Sequence, residues 1–147
     1  MVTGFEIRAI TAADEADVLG FMREFYSSPA VFTNGSDEIF IADIKACLSD
    51  SPYIEGYVFT VENAVKGYAM LAKSYSTEFG KPCIWVEDLF ISPDYRGKGF
   101  GSAFFSFIEE RYPDCVFRLE VEEENEGAVK LYRKKGFTIL PYMEMKK

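Results

Sequence analysis

Histidine is absent from the 147 residues. Its absence excludes a Ser-His-Asp or Cys-His nucleophile system and any histidine-based metal centre. Proton transfer must then fall to Glu, Asp, Tyr, Lys, Cys or an ordered water. Cysteine is scarce: Cys47, Cys83 and Cys115 are far apart and in no C-x-x-C arrangement. An odd, scattered count argues for reduced thiols and against a disulfide framework or a structural zinc site, so no metal is expected. No apolar run approaches the ~20 residues of a membrane span, and the N-terminus lacks the basic-then-apolar shape of a signal peptide. A soluble, cytoplasmic protein with no membrane partner is the expectation. Positive charge is in short supply too. The net charge of −8 disfavours a nucleic-acid backbone as partner.

What is abundant is apolar and acidic. Hydrophobic residues make up 48% and aromatics 16%, enough for one substantial core, so residues 1–147 read as a single domain. The acid is uneven: residues 1–86 hold 6 Lys+Arg against 12 Asp+Glu, and residues 87–147 hold 10 against 12. An acidic first half suits a cationic ligand, although acidity is also ordinary solubility.

Periodicity gives the order of elements. Residues 5–10 alternate with period two and predict a strand. Thr11, with Asp14 three residues on, begins a helix that carries Val18, Phe21, Met22 and Phe25 at helical spacing to about Ser28. Residues 29–36 form a loop, and a second helix runs from about Asp37 to Leu48. Residues 57–62 and 66–72 form a hairpin around Glu62-Asn63-Ala64. Residues 74–82 connect to a long strand at 83–91. A helix over 99–111, a strand at 116–121 and a helix from about Asn125 to Lys135 follow. Short strands at 137–140 and 142–145, around Pro141, close the chain. The order is β-α-α-β-β-β-α-β-α-β-β.

The stretch Asp94-Tyr-Arg-Gly-Lys-Gly-Phe-Gly-Ser102, between a strand and a helix, is where an anion would bind. Backbone N–H groups left bare by glycine converge at the positive end of a helix, with Arg96 and Lys98 beside them. The spacing fits neither the Walker loop nor the Gly-x-Gly-x-x-Gly dinucleotide fingerprint. It fits Arg96-Gly97-Lys98-Gly99-Phe100-Gly101, which resembles the coenzyme A loop of the GCN5-related N-acetyltransferase (GNAT) superfamily. Asn125-Glu-Gly-Ala-Val-Lys-Leu-Tyr-Arg-Lys-Lys-Gly-Phe137, about 25 residues on, resembles the second cofactor segment of the same superfamily. Together the two cover residues 84–137.

The resemblance implies an α+β acyl-CoA N-acyltransferase fold, with a central mixed, mostly antiparallel sheet flanked by helices. It implies acetyl-CoA as cosubstrate. The arm of that molecule would lie along Leu89, Phe90 and Ile91, and its pyrophosphate on Arg96, Gly97, Lys98, Gly99, Phe100, Gly101 and Ser102. Asn125, Ala128 and Tyr132 would contribute from the second segment. By position alone Leu89 and Ile91 read as core, Asn125 as a helix cap and Tyr132 as a core tyrosine. The resemblance adds that the Tyr132 phenol would protonate the departing thiolate.

Glu87 and Asp88 interrupt an otherwise apolar strand, and a desolvated carboxylate there needs a reason. Strand alternation points one inward and the other outward. Glu87 is the candidate base, because Glu-Asp-Leu-Phe resembles the polyamine and diamine acetyltransferase branch; an acidic pair held by a nearby cation is the structural alternative. The implied reaction is direct transfer to a primary amine in a ternary complex, with a small cationic amine or polyamine as acceptor. The first helix, the 29–36 loop and the 74–80 segment are expected to shape the acceptor pocket, with Tyr26, Phe32, Tyr75, Glu78, Glu87 and Asp88 as the candidates to line it. A protein N-terminus or lysine as acceptor, and a non-catalytic acyl-CoA-binding module, are the alternatives. The resemblance is also compatible with a homodimer.

Overall fold

The apolar runs in the middle of the chain organise the rest. In the computed structural model, which describes residues 2–147, they form three antiparallel strands, Ile54–Val61 (β2), Ala64–Ser76 (β3) and Lys81–Ile91 (β4). Phe5–Ala9 (β1) adds antiparallel to β2, and Val116–Leu119 (β5) adds parallel to β4. The sheet order is β1-β2-β3-β4-β5, mixed and mostly antiparallel, as expected for the class. Glu62 and Asn63, both in the left-handed region (φ 49° and 70°), make the tight turn between β2 and β3 that matches strand twist.

Each face of the sheet has its own core. Helices Glu15–Tyr26 (α1) and Asp37–Leu48 (α2) bury Val18, Met22, Phe40 and Ile44 against Val58, Tyr68, Met70 and Phe90. Helix Phe100–Arg111 (α3) buries Phe100, Phe104, Phe105 and Ile108 against Tyr57, Phe59, Leu71, Ile84 and Val86. Helix Glu126–Lys134 (α4) adds Leu131 and Tyr132 to that second core. Helix α2 spans the expected residues because the Ser36 side chain accepts from the Ile39 N–H at 3.3 Å and so caps it.

Three expectations are corrected. The helix expected from Thr11 opens as a 3₁₀ turn at Ala12–Asp14. Asp14 accepts from Arg8 at 2.7 and 2.9 Å and from the Thr11 N–H at 2.8 Å, which ties that turn to β1. The connection expected at 74–82 is mostly strand: Tyr75 pairs with Pro82 and Ser76 with Lys81, leaving only residues 77–80 to turn.

Finally, residues 137–140 and 142–145 form no strands. Helix α4 stops at Gly136 (φ 95°), whose N–H donates to the Arg133 carbonyl while the Phe137 N–H donates to that of Tyr132, each at 3.0 Å. Phe137 folds back onto Phe105 at 5.3 Å between ring centres. Pro141 then supplies no N–H, and Ile139, Met143 and Met145 stand exposed. Alternation marks a strand only where a ladder partner is at hand.

Gly67 on β3 faces the Phe90 carbonyl so closely that a Cβ would collide with that backbone and with the Phe59 ring at 2.9 Å. Gly67→Ala is expected to cost about 1–3 kcal/mol of stability. Thermal denaturation checks this, and an unchanged midpoint would contradict the close approach.

Candidate active site

Strands β4 and β5 pair only at residues 83–86 against 116–119. Beyond Val86, β4 continues to Ile91 while the other chain segment leaves the sheet. A β-bulge helps to open the gap: Met70 pairs with Asp88 and Leu71 with Val86, so Glu87 is the extra residue. The bulge also exchanges faces. Val86 points to the α3 core, whereas Asp88 and Phe90 point towards α1 and α2. The result is a cleft of about 710 Å³ between the end of β4, the start of α3 and the start of α4.

The glycine loop closes one end. Gly97 and Gly99 hold φ of 72° and 89°, and Gly99 is the N-cap of α3. Ala103 is the first residue whose N–H returns to a carbonyl of the loop, that of Gly99 at 3.0 Å. The N–H groups of Phe100, Gly101 and Ser102 therefore face outward as an anion cradle, with no acidic side chain in the first turn. Arg96, Gly97, Gly99, Phe100, Gly101 and Ser102 all line the cleft.

Their side chains have further duties that the motif did not disclose. The Phe100 ring is buried, 4.2 Å from Phe5, so only its backbone is available. A Cβ on Gly101 would press on Leu131 at 2.7 Å, so this glycine also lets α4 approach α3. Arg96 donates from Nε to the Ile91 carbonyl at 2.8 Å, which occupies one backbone acceptor expected to be free for a ligand. Lys98 is outside the cleft lining; its ammonium lies 5.1 Å from the centre of the Tyr95 ring.

Across the cleft, Leu89, Phe90, Ile91, Asn125, Ala128 and Tyr132 all contribute to the lining. Asn125 caps α4, accepting from the Ala128 N–H at 3.4 Å. Tyr132 packs edge-on to Phe105 at 5.7 Å, and burial pushes its phenol up to about 12. It stays protonated through the neutral range, a standing donor.

The two acidic residues of β4 separate as strand geometry demands. Glu87 opens onto the cleft, and Asp88 is 3% exposed. Partial burial, then the charges of Glu144 and Asp43, raise the Glu87 carboxyl above its ordinary range. Asp88 accepts from Tyr26 at 2.8 Å and Tyr68 at 2.7 Å and is not in the lining. The alternative of an acidic pair held by a cation finds no support, since neither residue forms a salt bridge among the described residues.

The other acceptor candidates fall elsewhere. Tyr26 turns its hydroxyl to Asp88, and Phe32 is 91% exposed on the loop after α1. Tyr75 lies near the end of β3 and Glu78 in the turn that leads to β4, where Glu78 accepts from the Tyr142 hydroxyl. From Pro82, the partner of Tyr75, to Glu87 is about 16 Å along an extended strand. Of the segments expected to shape the pocket, the end of α1 and the loop after it do line the cleft, through Phe25, Ser28, Pro29 and Ala30, whereas residues 74–80 do not. Sequence reasoning missed Glu120, which also lines it. Glu120 follows β5 as Glu87 follows Val86, and that matched register was the available signal. Its carboxyl is raised first by a hydrogen bond shared with Glu144 and then by burial.

A model of the acetyltransferase (GNAT) family matches residues 17–137. The chain is 30% identical over 145 residues to a thialysine N-epsilon-acetyltransferase of Bos taurus, covering 88% of this chain and 82% of that one. It is 29% identical over 107 residues to the spermine/spermidine N(1)-acetyltransferase of Bacillus subtilis, covering 67% and 70%. Its fold matches the crystal structure of a possible acetyltransferase from Clostridium difficile 630 with a TM-score of 0.80 at 22% identity, over 97% of this chain and 96% of the other.

Adding a side chain at Gly99 strains its positive φ and crowds the donors of α3. Gly99→Ala is expected to weaken coenzyme A binding about tenfold or more in calorimetry. Retention within about twofold would remove the loop from the anion site.

Proposed function

Since the chain belongs to the acetyltransferase (GNAT) family, we propose that it transfers the acetyl group of acetyl-CoA directly to a small cationic primary amine, with a polyamine or diamine as the first choice. The observation that carries this is a single cleft lined by a carboxylate of raised pKa, Glu87, and by a protonated phenol, Tyr132, with an anion cradle at its end. Thialysine and spermidine acetyltransferases among the relatives support an amine acceptor.

Bound acetyl-CoA supplies an activated acetyl group as a thioester. The outward N–H groups of Phe100, Gly101 and Ser102 hold the pyrophosphate, and the end of β4 from Leu89 to Ile91 aligns the arm. Glu87, with its raised pKa, takes a proton from the acceptor ammonium, directly or through a water. The free amine then forms a bond to the carbonyl carbon, the carbon–sulfur bond breaks, and the nitrogen releases its second proton to water as the amide forms. Backbone N–H groups beside β4 stabilise the charge that develops on the carbonyl oxygen. Tyr132 gives its proton to the sulfur and recovers one from solvent. No histidine and no covalent enzyme intermediate are needed.

The acid around the cleft supports the cationic acceptor. The charges of Glu144 and Asp43 bear on the Glu87 carboxyl, and those of Glu144 and Glu87 on that of Glu120. An ammonium arriving among them relieves that repulsion.

Release of free thiol from acetyl-CoA, measured against polyamines, aminoglycosides, amino acids and short peptides, tests the reading. Thiol release with polyamines is expected; release only with peptides would overturn the acceptor, and silence across the panel the activity. Tyr132→Phe is expected to lower kcat about a hundredfold or more while leaving the acetyl-CoA KM nearly unchanged, and equal kinetics would sink its role as acid. A base must be deprotonated, so the raised pKa of Glu87 sets the rising acid limb of kcat/KM higher than an ordinary carboxylate would. Glu87→Gln should abolish or displace that limb in the pH–rate profile; an unchanged profile would exclude it as the base.

A further inference from the structure

Asp88 is a buried carboxylate that the proposed transfer does not use. It has no salt bridge among the described residues, yet both its oxygens are engaged. Tyr26 donates to Oδ1 at 2.8 Å and Tyr68 to Oδ2 at 2.7 Å. Tyr68 is fully buried on β3, at the centre of the α1–α2 face. Tyr26 is the last residue of α1, and its ring packs 5.0 Å from Phe40 of α2. Immediately beyond it, Ser28, Pro29 and Ala30, together with Phe25, line the cleft that Glu87 opens onto. The hydrogen bonds of Asp88 thus join the strand beneath the cleft to the segment that walls it.

We propose that Asp88 is a positioning residue for the acceptor: its carboxylate, gripped by the Tyr26 and Tyr68 hydroxyls, fixes the end of α1 to β4 and so holds residues 25–30 in place around the incoming amine. The inference rests on the N-acetyltransferase reading of the cleft. A carboxylate is the side chain that accepts from two phenols at once; an amide at this site accepts from one and must donate to the other. Burying that charge without a cation is costly, which is hard to explain by stability alone.

The groups facing Asp88 are Tyr26 from α1, Asp43 and Cys47 from α2, Tyr68 from β3 and Glu87 from its own strand. Both phenols are held far above their ordinary values by burial and by Asp88, and burial lifts the Cys47 thiol to about 12, so all three stay protonated. Burial, with smaller help from the charges of Asp43 and Glu87, raises the Asp88 carboxyl to about 6, against the two phenol hydrogen bonds that favour its charged form. When Asp88 takes a proton it becomes a donor on one side, and one phenol loses its acceptor. The grip then loosens as the pH falls.

Calorimetric titration of spermidine into the protein saturated with coenzyme A, from about pH 5 to about pH 8, tests this. Glu87 also titrates in the acid range, so Tyr26→Phe is the deciding variant: it removes a hydrogen bond to Asp88 and none to Glu87. Loss of a bond that favours the carboxylate raises its pKa, and the midpoint of the acid loss of spermidine affinity should move up by about half a pH unit or more. Asp88→Asn should weaken spermidine binding about tenfold at the alkaline end and abolish the Asp88 part of the pH dependence. Coenzyme A affinity should stay within about twofold in both variants, and thermal melts establish that each is folded. A Tyr26→Phe midpoint that coincides with the wild type, or Asp88→Asn binding spermidine as the wild type does, would overturn the inference. Failure of the wild type to bind spermidine at any pH would overturn the cationic-acceptor reading itself and take the inference down with it.

Discussion

The backbone of β4 must satisfy its hydrogen bonds on two edges, and it has a full partner on only one. Strand β3 pairs along its whole length, whereas β5 pairs at residues 83–86 alone. The polar groups of the remaining segment cannot be left buried and unpaired, so that edge stays open to water or to an extended ligand. Everything around the cleft follows from this shortfall. The glycine loop begins where β4 ends, and the Arg96 side chain takes up the Ile91 carbonyl. Helices α3 and α4 then enclose the gap, with Gly101 against Leu131 setting how closely they meet.

One inserted residue turns that edge into a chemical site. Without the bulge, Asp88 would share the face of Val86 and enter the phenylalanine-rich core against α3. With it, Asp88 reaches two phenols on the opposite side, and Glu87 is left over the opening. Two adjacent carboxylates thereby acquire different surroundings and different protonation behaviour. Both are raised chiefly by burial; Asp88 is dry and doubly hydrogen-bonded, while Glu87 faces the cleft and answers to the charges of Glu144 and Asp43. A division of labour between neighbours of the same charge is what such a difference in environment allows.

Local chemistry was legible in the sequence, and long-range partnership was not. Helix α2 could be read from Asp37 to Leu48, and the Ser36 side chain fixes its start. The glycine loop could be read because positive φ and bare N–H groups require glycine at fixed spacing. The inward and outward division of Glu87 and Asp88 followed from strand alternation, although the bulge that assigns the faces was invisible. The tail failed for the opposite reason: residues 137–145 alternate, but alternation does not say whether a sheet edge is within reach. Tyr75 and Glu78 lie away from the cleft because β3 runs on to Ser76 and β4 starts at Lys81, an extension that the turn-rich composition of 74–82 hides and that puts the turn far from Glu87. The first helix and the loop after it could be assigned to the pocket, but which of their side chains reach the cleft depends on long-range contacts, the Tyr26–Asp88 hydrogen bond and the packing of Phe25 on Phe90 among them.

The missing histidine acquires a physical meaning once the site is assembled. A histidine base near neutrality needs little from its surroundings, because its ordinary pKa already lies there. A carboxylate base must instead be lifted, and that takes desolvation or neighbouring negative charge. This cleft supplies both, through the partial burial of Glu87 and through Asp43 and Glu144. In the proposed reaction the acid that lifts Glu87 would also attract the ammonium whose proton Glu87 would remove, so a cationic acceptor and a carboxylate base suit one another. The anionic cosubstrate is kept apart from that acid by geometry: its cradle is the start of α3, where the first turn carries no acidic residue. Segregating the two charges along a single strand end would let one cleft receive a cation and an anion together.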